Sequence, residues 1–340
     1  MNIDHHSIYM RDEVSALIST GGIWLLGEVE SGYDDYISCD DAVSAVLTDH
    51  KLAVLRADGT VFTKWYRDYY TDHYDAETDT YRDVYFTDSW SNITALCAGR
   101  DHIAGLMENG KAVATGCNDK GQCNVSGWTN IVDIAAGDEA TLGLRADGSV
   151  MAAGNNEFGV CNARLWKNVK RIFAGPYAAV GIMHDGSLVT TEKDWENELS
   201  TWTDIVSVHI GVSTVVGIKS SGRISVLCED RAFKEKLEQW RNIIDVAVAD
   251  DFDDHYAIGL RSNGQTVSAG SGFWDGTFTD KRIDIFGKDN IKTPEGTKAH
   301  DDKNDYVFSS SNTSGFKFED ILAAIVWVFI IIYFFTQCSS

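Results

Sequence analysis

Polar and apolar residues alternate along this chain in short runs, and the runs come in pairs around a glycine. The segment GLRADGSVMAAG, residues 143–154, is one such pair, with an Asp-Gly between the two runs. Alternation of this kind is typical of strands with one buried face, and Asp-Gly between two such strands is a strong hairpin signal. We therefore expect a tight two-residue turn in which Asp147 and Gly148 both have positive φ.

The same hairpin is repeated along most of the sequence. Its turn glycines are Gly59, Gly110, Gly148, Gly186, Gly222 and Gly264. They are spaced by 51, 38, 38, 36 and 42 residues, and an earlier copy is expected at Gly22, which lies 37 residues before the first of them. A period of about forty residues is typical of repeat architectures.

A tryptophan phrase runs in step with the turns. It begins at Trp90, Trp128, Trp166, Trp202 and Trp240. In each copy an Asn or Asp stands two residues after the Trp, and Ile or Val follows it. Because these tryptophans and the turn glycines recur, we expect them to have structural roles in packing the repeats.

Three or four short strands in each period of about forty residues predict the blades of a β-propeller. We interpret residues 1–287 as one all-β, seven-bladed propeller. A degenerate Trp phrase at residues 278–287 is expected to complete the first blade, so that N- and C-terminal strands close the ring and remove its open edges. DRAFKEKLEQW, residues 230–240, is the one local helix candidate before residue 320.

The repeated W-x-N/D-I and L-x-x-D-G phrases resemble the regulator of chromosome condensation repeat family, in particular its bacterial members. The resemblance covers nearly the whole predicted propeller, and it implies the fold. It does not imply one activity, because the family includes nucleotide-exchange factors, a secreted inhibitor of β-lactamase and ubiquitin-ligase modules. Neither the inserted wedge nor the basic segments of the eukaryotic exchange factor has a match in this chain.

The charge balance narrows the classes of partner. The chain has 51 acidic and 29 basic residues, for a net charge of −22, which argues against nucleic acid and against a basic patch on an anionic membrane. The seven cysteines show no zinc-finger spacing and are expected to be free thiols in a reducing cytosol. Lacking hydrolase and phosphate-loop motifs, the chain is expected to be neither an enzyme nor a binder of metal or cofactor. A hydrolase or lyase site at the channel mouth remains the least favoured alternative.

An insertion lengthens the second period. The segment WYRDYYTDHYDAETDTYRDVYFTD, residues 65–88, contains six tyrosines and six aspartates. Tyrosine offers a large contact area with few torsions, so one interpretation is a protruding hairpin that recognises a partner. Its candidate anchors are Tyr69, Tyr70, Tyr74 and Tyr81. The equally favoured alternative is a strand pair packed on neighbouring blades.

The C-terminal part changes character twice. Residues 288–319 are polar and predict a flexible linker, whereas residues 321–335 are uninterruptedly apolar. We predict a transmembrane helix at residues 320–338, a tail anchor with Ile321, Trp327 and Phe335 in the bilayer. The alternative is a core segment packed on the propeller. A lipid-anchor signal would need an N-terminal secretory signal, which the sequence does not show.

These features together predict a membrane-tethered, non-catalytic protein-interaction module. The propeller is expected to be monomeric, to face the cytosol and to bind an unknown protein partner. Two alternatives stay open: a regulator or inhibitor of a partner enzyme or GTPase, and a sensor propeller coupled to a membrane-perturbing C-terminal helix.

Overall fold

The computed structural model describes residues 14–19, 22–27, 36–66, 74–75, 80–81, 85–250, 255–263 and 266–270. Almost all regular structure in these residues is β. The strands are β1 (Val14–Ser19), β2 (Gly22–Gly27), β3 (Tyr36–Ser38), β4 (Ala42–Leu47), β5 (Lys51–Arg56), β6 (Val61–Trp65), β7 (Tyr74–Asp75), β8 (Thr80–Tyr81), β9 (Ile93–Ala98), β10 (His102–Met107), β11 (Ala112–Gly116), β12 (Ile131–Gly137), β13 (Ala140–Arg145), β14 (Val150–Gly154), β15 (Val169–Ala174), β16 (Ala179–Met183), β17 (Leu188–Thr190), β18 (Ile205–Ile210), β19 (Val215–Lys219), β20 (Ile224–Leu227), β21 (Ile243–Asp250), β22 (His255–Arg261) and β23 (Thr266–Gly270).

Short helices occupy some of the connections. They are α1 (Glu196–Leu199), α2 (Arg231–Leu237) and two 3-10 segments, Val160–Leu165 and Lys193–Trp195. The helix expected within residues 230–240 is confirmed as α2, and the Asp230 carboxylate caps it by accepting from the amides of Ala232 and Phe233 at 2.8 and 3.1 Å. The other three were not predicted.

Within the described residues, the strands form seven three-stranded sheets and the β7–β8 pair. Each three-stranded sheet takes its strands from one stretch of chain, and every pairing is antiparallel. The first strands of successive sheets, from β1 through β4, β9, β12, β15 and β18 to β21, contact one another. Sheets that follow one another with their first strands side by side have the arrangement of propeller blades, and the first strands therefore lie nearest the axis.

The tryptophan phrase joins one sheet to the next. Trp128 belongs to a core made by the third and fourth sheets, in which Leu106 of β10 and Ile134 of β12 are also buried. Its indole packs against β13: a Cβ placed on Gly143 would lie 2.7 Å from Trp128 Cε3. The same Trp-on-Gly contact recurs at the pairs Trp90–Gly105, Trp166–Gly181, Trp202–Gly217 and Trp240–Gly259.

The turn glycine and the tryptophan phrase are in register along the sequence because they touch in the fold. The Gly148 carbonyl accepts a hydrogen bond from the Val169 amide at 3.0 Å, which docks the turn of the fourth sheet on the phrase that opens the fifth. Equivalent bonds at 2.9–3.0 Å join Gly59 to Ile93, Gly110 to Ile131 and Gly222 to Ile243. The phrase's second polar residue, such as Asn168 at φ 59°, adopts the left-handed conformation that Asn and Asp tolerate.

Two details of the sequence interpretation are wrong. The turn at Gly148 has φ +79° at the glycine, whereas Asp147 is not at positive φ. The Arg145 amide donates to the Ser149 carbonyl at 2.8 Å and three residues lie between them, so the loop is a three-residue hairpin connection rather than a two-residue turn. Gly22 is also not the turn glycine of a first copy: it begins β2 opposite Ser19, at the connection between first and second strands.

Several predictions fall outside the described residues. They include the turn glycine Gly264, the closing strand at 278–287, the linker at 288–319 and the apolar segment at 320–338. In the part of the chain that the structure describes, no helix has the length and apolar character to cross a membrane.

Candidate functional site

One end of the sheets carries the connections between first and second strands, and we call it the turn face. Its described turns are residues 48–50, 99–101, 138–139, 175–178 and 211–214. Four successive turns are linked by backbone hydrogen bonds: the Asp49 amide donates to the Arg100 carbonyl at 2.8 Å, the Arg100 amide to Asp138 at 3.1 Å, and the Asp138 amide to Pro176 at 3.4 Å. These bonds fix the turns relative to one another, so the face is preorganised.

Arg100 is held within the acidic part of the turn face. Its Nε lies 3.8 Å from Asp49 Oδ2 and 3.6 Å from Asp101 Oδ2. Asp49 and Asp101 are mostly buried, with side chains 17% and 16% exposed, whereas the Arg100 side chain is 43% exposed. The guanidinium therefore offsets the charge of two partly desolvated carboxylates.

A cavity of about 240 Å³ opens on the turn face beside Arg100. Turns of three successive sheets contribute to it, together with the loop that follows β14. Phe158, from that loop, is 56% exposed, and its ring contacts the half-buried Tyr177 ring in a tilted arrangement, with centroids 4.7 Å apart and planes at 50°. A large aromatic side chain exposed at a cavity mouth is typical of recognition sites.

Carboxylates surround the aromatic pair. Asp138 is 4% exposed and Glu139 half-buried, while Glu157 lies on the exposed loop. Asn155 fixes the Glu139 carboxylate and the backbone of the loop: its Nδ2 donates to Glu139 Oε2 at 2.7 Å, and its Oδ1 accepts from the Glu157 amide at 3.0 Å. The Glu139 carboxylate is thus positioned before any partner arrives.

The tyrosine-rich insertion leaves from and returns to the same face. Lys51, 1% exposed at the start of β5, has its Nζ 4.2 Å from the Trp65 ring centroid and 4.8 Å from that of Tyr85. The Tyr66 hydroxyl donates to the Thr48 carbonyl in the neighbouring turn. Cation–π contacts in a desolvated site are among the stronger ones, so both roots of the insertion are anchored next to the Asp49 turn.

The structure places only part of the predicted tyrosine set. Tyr74 and Tyr81 are partners in the backbone register of the β7–β8 pair. Tyr69 and Tyr70 lie outside the described residues, as do the membrane candidates Ile321, Trp327 and Phe335.

A buried Ser-His-Asp group joins the sixth and seventh sheets. Ser207 Oγ lies 3.4 Å from His209 Nε2, and Asp245 Oδ1 lies 3.3 Å from the same nitrogen. A catalytic triad needs the serine and the carboxylate on opposite nitrogens of the ring, and an accessible serine. Here Ser207 is 5% and Asp245 0% exposed, and burial raises the pKa of the Asp245 carboxyl well above its usual range. This group has the geometry of a core contact between sheets.

The described residues contain free cysteines but no cluster of metal-binding side chains. Among them, no group of three His, Cys, Asp or Glu side chains is placed to hold a metal ion. The six described cysteines are free thiols, and burial raises the pKa of Cys97 and Cys123.

The cavity residues were missed by the sequence interpretation. A usable signal was present, because the loop GCNDKGQCN of the third sheet and GNNEFGVCN of the fourth align at 38 residues, which pairs Lys120 with Phe158. Recurring positions maintain the fold, whereas a large aromatic in one copy alone marks a site peculiar to that blade. Tyr177 similarly takes the position that Glu139 has one repeat earlier.

Comparison with known proteins agrees with the architecture. Residues 93–122 and 131–160 match the family model described as the regulator of chromosome condensation (RCC1) repeat. The fold is that of an RCC1-like propeller. No curated protein sequence matches the chain.

Solved structures resemble the propeller at low sequence identity. The entire ectodomain of the Physcomitrella patens receptor kinase CR4 gives a TM-score of 0.51 with 14% identity, covering 79% of this chain and 74% of that one. Human WBSCR16 gives 0.54 with 15% identity, covering 73% and 83%. At these identities the likeness establishes the fold alone.

Proposed function

We propose that this propeller is a non-catalytic protein-interaction module that binds a partner protein through its turn face. The observation that carries the proposal is the exposed Phe158 ring, which contacts the tilted Tyr177 ring at the mouth of a cavity where Asn155 holds the Glu139 carboxylate in place. Exposed aromatics in a rigid setting supply contact area at little conformational cost, and they are enriched among residues that dominate binding energy.

The position of the tyrosine-rich insertion favours the same face as the binding surface. Its two roots are clamped around Lys51, beside the turn that carries Asp49, and Asp49 is joined to Arg100 at the cavity. The roots of the insertion and the cavity therefore lie on the same face, and we propose that the insertion and the cavity both contribute to the interface. Four linked turns keep that surface rigid, which lowers the ordering cost of binding.

We further propose that seven blades close into a monomeric ring and that the ring is tethered to a membrane, facing the cytosol. The first-strand contacts run from β1 to β21, and the degenerate Trp phrase at 278–287 is the segment that we propose as the closing strand. The tether rests on the apolar run at 321–335. Truncation after residue 319 should release the protein from the membrane fraction of cells, and retention of the truncated chain there would overturn the tether.

Proximity labelling from the full-length protein tests the interaction role. Phe158→Ala removes the exposed ring of the turn face. Leu165→Ala is the matched control, because Leu165 is 73% exposed in the same loop but does not line the cavity. We expect a small set of labelled proteins that is lost with Phe158→Ala and kept with Leu165→Ala. Labels unchanged by Phe158→Ala and by removal of residues 67–84 would overturn the proposal.

A further inference from the structure

The charges and rings of the turn-face cavity specify the chemistry of the partner. We propose that the cavity binds a cationic side chain, Arg or Lys, that projects from the partner protein. This inference rests on the proposed function. Its contacts would be the carboxylates of Asp138, Glu139 and Glu157 and the rings of Phe158 and Tyr177.

The carboxylates are arranged for a cation. Three acidic and two basic side chains line the cavity. Of the basic pair, Arg100 is already within 4 Å of two other carboxylates, those of Asp49 and Asp101, so its charge is locally compensated. Lys120 is exposed on a flanking loop. The potential inside the cavity is therefore dominated by its acidic lining, and the net charge of −22 on the chain adds to it.

The aromatic pair suits the same occupant. Guanidinium and ammonium groups are attracted to the faces of aromatic rings, and the attraction adds to a charge-assisted hydrogen bond when a carboxylate is close by. The Phe158 and Tyr177 rings lie 4.7 Å apart at a tilt of 50°, and 56% of Phe158 is exposed, so a ring surface remains accessible to a partner. Arg is favoured over Lys because its planar group can stack and bind a carboxylate in two places.

The size of the cavity favours one side chain rather than a free ligand. Pockets for drug-sized molecules usually enclose about 300–1,000 Å³. The cavity of about 240 Å³ lies below this range. An anchor residue inserted from a protein surface fits such a volume and also explains why the aromatic pair lies at the rim.

The combination is absent from the preceding repeat. At the positions of Glu157 and Phe158, the preceding repeat has Asp119 and Lys120, and at the position of Asn155 it has Cys117. Lysine at the position of Phe158 removes the ring that would bind a cation. A cysteine thiol at the position of Asn155 removes the side-chain amide that donates to Glu139. The preceding repeat therefore lacks both features of the proposed site.

Peptide binding to the purified full chain tests this inference. The probes are three fluorescein-labelled pentapeptides in a Gly/Ser frame with Arg, Gln or Glu at the centre, titrated by anisotropy at low ionic strength, where screening is weakest. We expect the Arg peptide to bind about tenfold or more tightly than the Gln peptide, and the Glu peptide to bind least.

Charge-neutralising variants locate the site. Glu139→Gln and Glu157→Gln should each weaken the Arg peptide severalfold and leave the Gln peptide unchanged. Glu108→Gln removes the same charge from an exposed turn at the opposite end of the third sheet and should have no effect. Glu157→Gln keeps the test valid if Glu139→Gln perturbs folding, because only the backbone amide of Glu157 is bonded to Asn155 in the contact that fixes the loop.

The outcomes separate this inference from the proposed function. Equal affinity for the Arg and Gln peptides, or preference for the Glu peptide through Arg100 and Lys120, would overturn the cationic anchor. If Phe158→Ala nevertheless abolished proximity labelling, the turn face would still be an interface with a partner of other chemistry. Labelling that is unchanged both by Phe158→Ala and by removal of residues 67–84 would instead overturn the proposed function itself.

Discussion

The imidazole Nε2 of His102 lies 2.8 Å from Thr141 Oγ1, across the boundary between the third and fourth sheets. The Thr141 hydroxyl donates to the Gln122 carbonyl at 2.8 Å, so it accepts from His102, and the proton of the neutral ring is on Nε2. His102 and Thr141 are both 0% exposed. The contact therefore joins two blades through a histidine that must stay neutral.

This relationship predicts a loss of stability in mild acid. Burial lowers the pKa of His102 to about 4, against an unfolded value of 6.5. The unfolded state then binds more protons than the native state between these values, so the free energy of unfolding falls as pH falls through 6.5 toward 4. Between pH 7 and pH 5 we expect a loss of about 2 kcal/mol from this residue, measured by urea unfolding.

His102→Gln provides the control for that experiment. Glutamine retains a donor for Thr141 but does not titrate, so the variant should lose stability overall and show a flatter pH dependence over the same interval. A pH dependence unchanged by the substitution would contradict the assignment to His102.

The tryptophan–glycine contacts predict a strong size limit on the second strands. Gly143→Ala would bring a Cβ within 2.7 Å of the Trp128 ring. We expect the free energy of unfolding to fall by about 1–3 kcal/mol, as in other overpacked cores. Gly127→Ala, one residue before the same tryptophan, meets nothing within 4 Å and should change it by less than about 0.5 kcal/mol. Equal effects of the two changes would argue against the contact.

Two glycine substitutions separate the contribution of turn docking to stability from that of backbone strain. Gly148 and Gly186 have φ +79° and +86°, so alanine at either position is strained, by about 1–2 kcal/mol. A Cβ on Gly148 would also lie 3.0 Å from Asn168 Cα, whereas one on Gly186 has nothing within 4 Å. Chemical denaturation should therefore show that Gly148→Ala is more destabilising than Gly186→Ala by about 1 kcal/mol or more. If the two substitutions were equally destabilising, the Gly148 turn would not be packed against the neighbouring sheet.

The periodic part of the architecture could be predicted from the sequence because most repeats make the same contacts. The tryptophan and turn-glycine spacings correspond to hydrogen bonds such as that from Val169 to Gly148, and the three strands per repeat are confirmed. Gly22 was misassigned because a glycine pattern alone does not distinguish the two kinds of turn in a blade. The loop at Asp147 differed because a three-residue connection places only the glycine in the left-handed region.

The candidate site was less accessible to sequence reasoning. Phe158 and Tyr177 are 19 residues apart and belong to different blades, so nothing in their local pattern indicates that their rings are in contact. The bond from Asn155 to Glu139 likewise connects a loop to a turn within the fourth blade. The tyrosine insertion was noticed because of its composition, but its position next to the Asp49 turn depends on the buried Lys51, which has no distinguishing sequence context.

Hydrogen–deuterium exchange of the full chain, with and without the partner identified by proximity labelling, tests the central claim most directly. The account predicts slower exchange on binding at the turn-face segments 48–50, 99–101, 138–139, 155–158 and 175–178. Turns at the opposite end, residues 57–60, 108–111 and 146–149, should exchange at the same rate in both states. Protection confined to the opposite end, with the turn face unchanged, would contradict the claim that this propeller recognises its partner through the turn face.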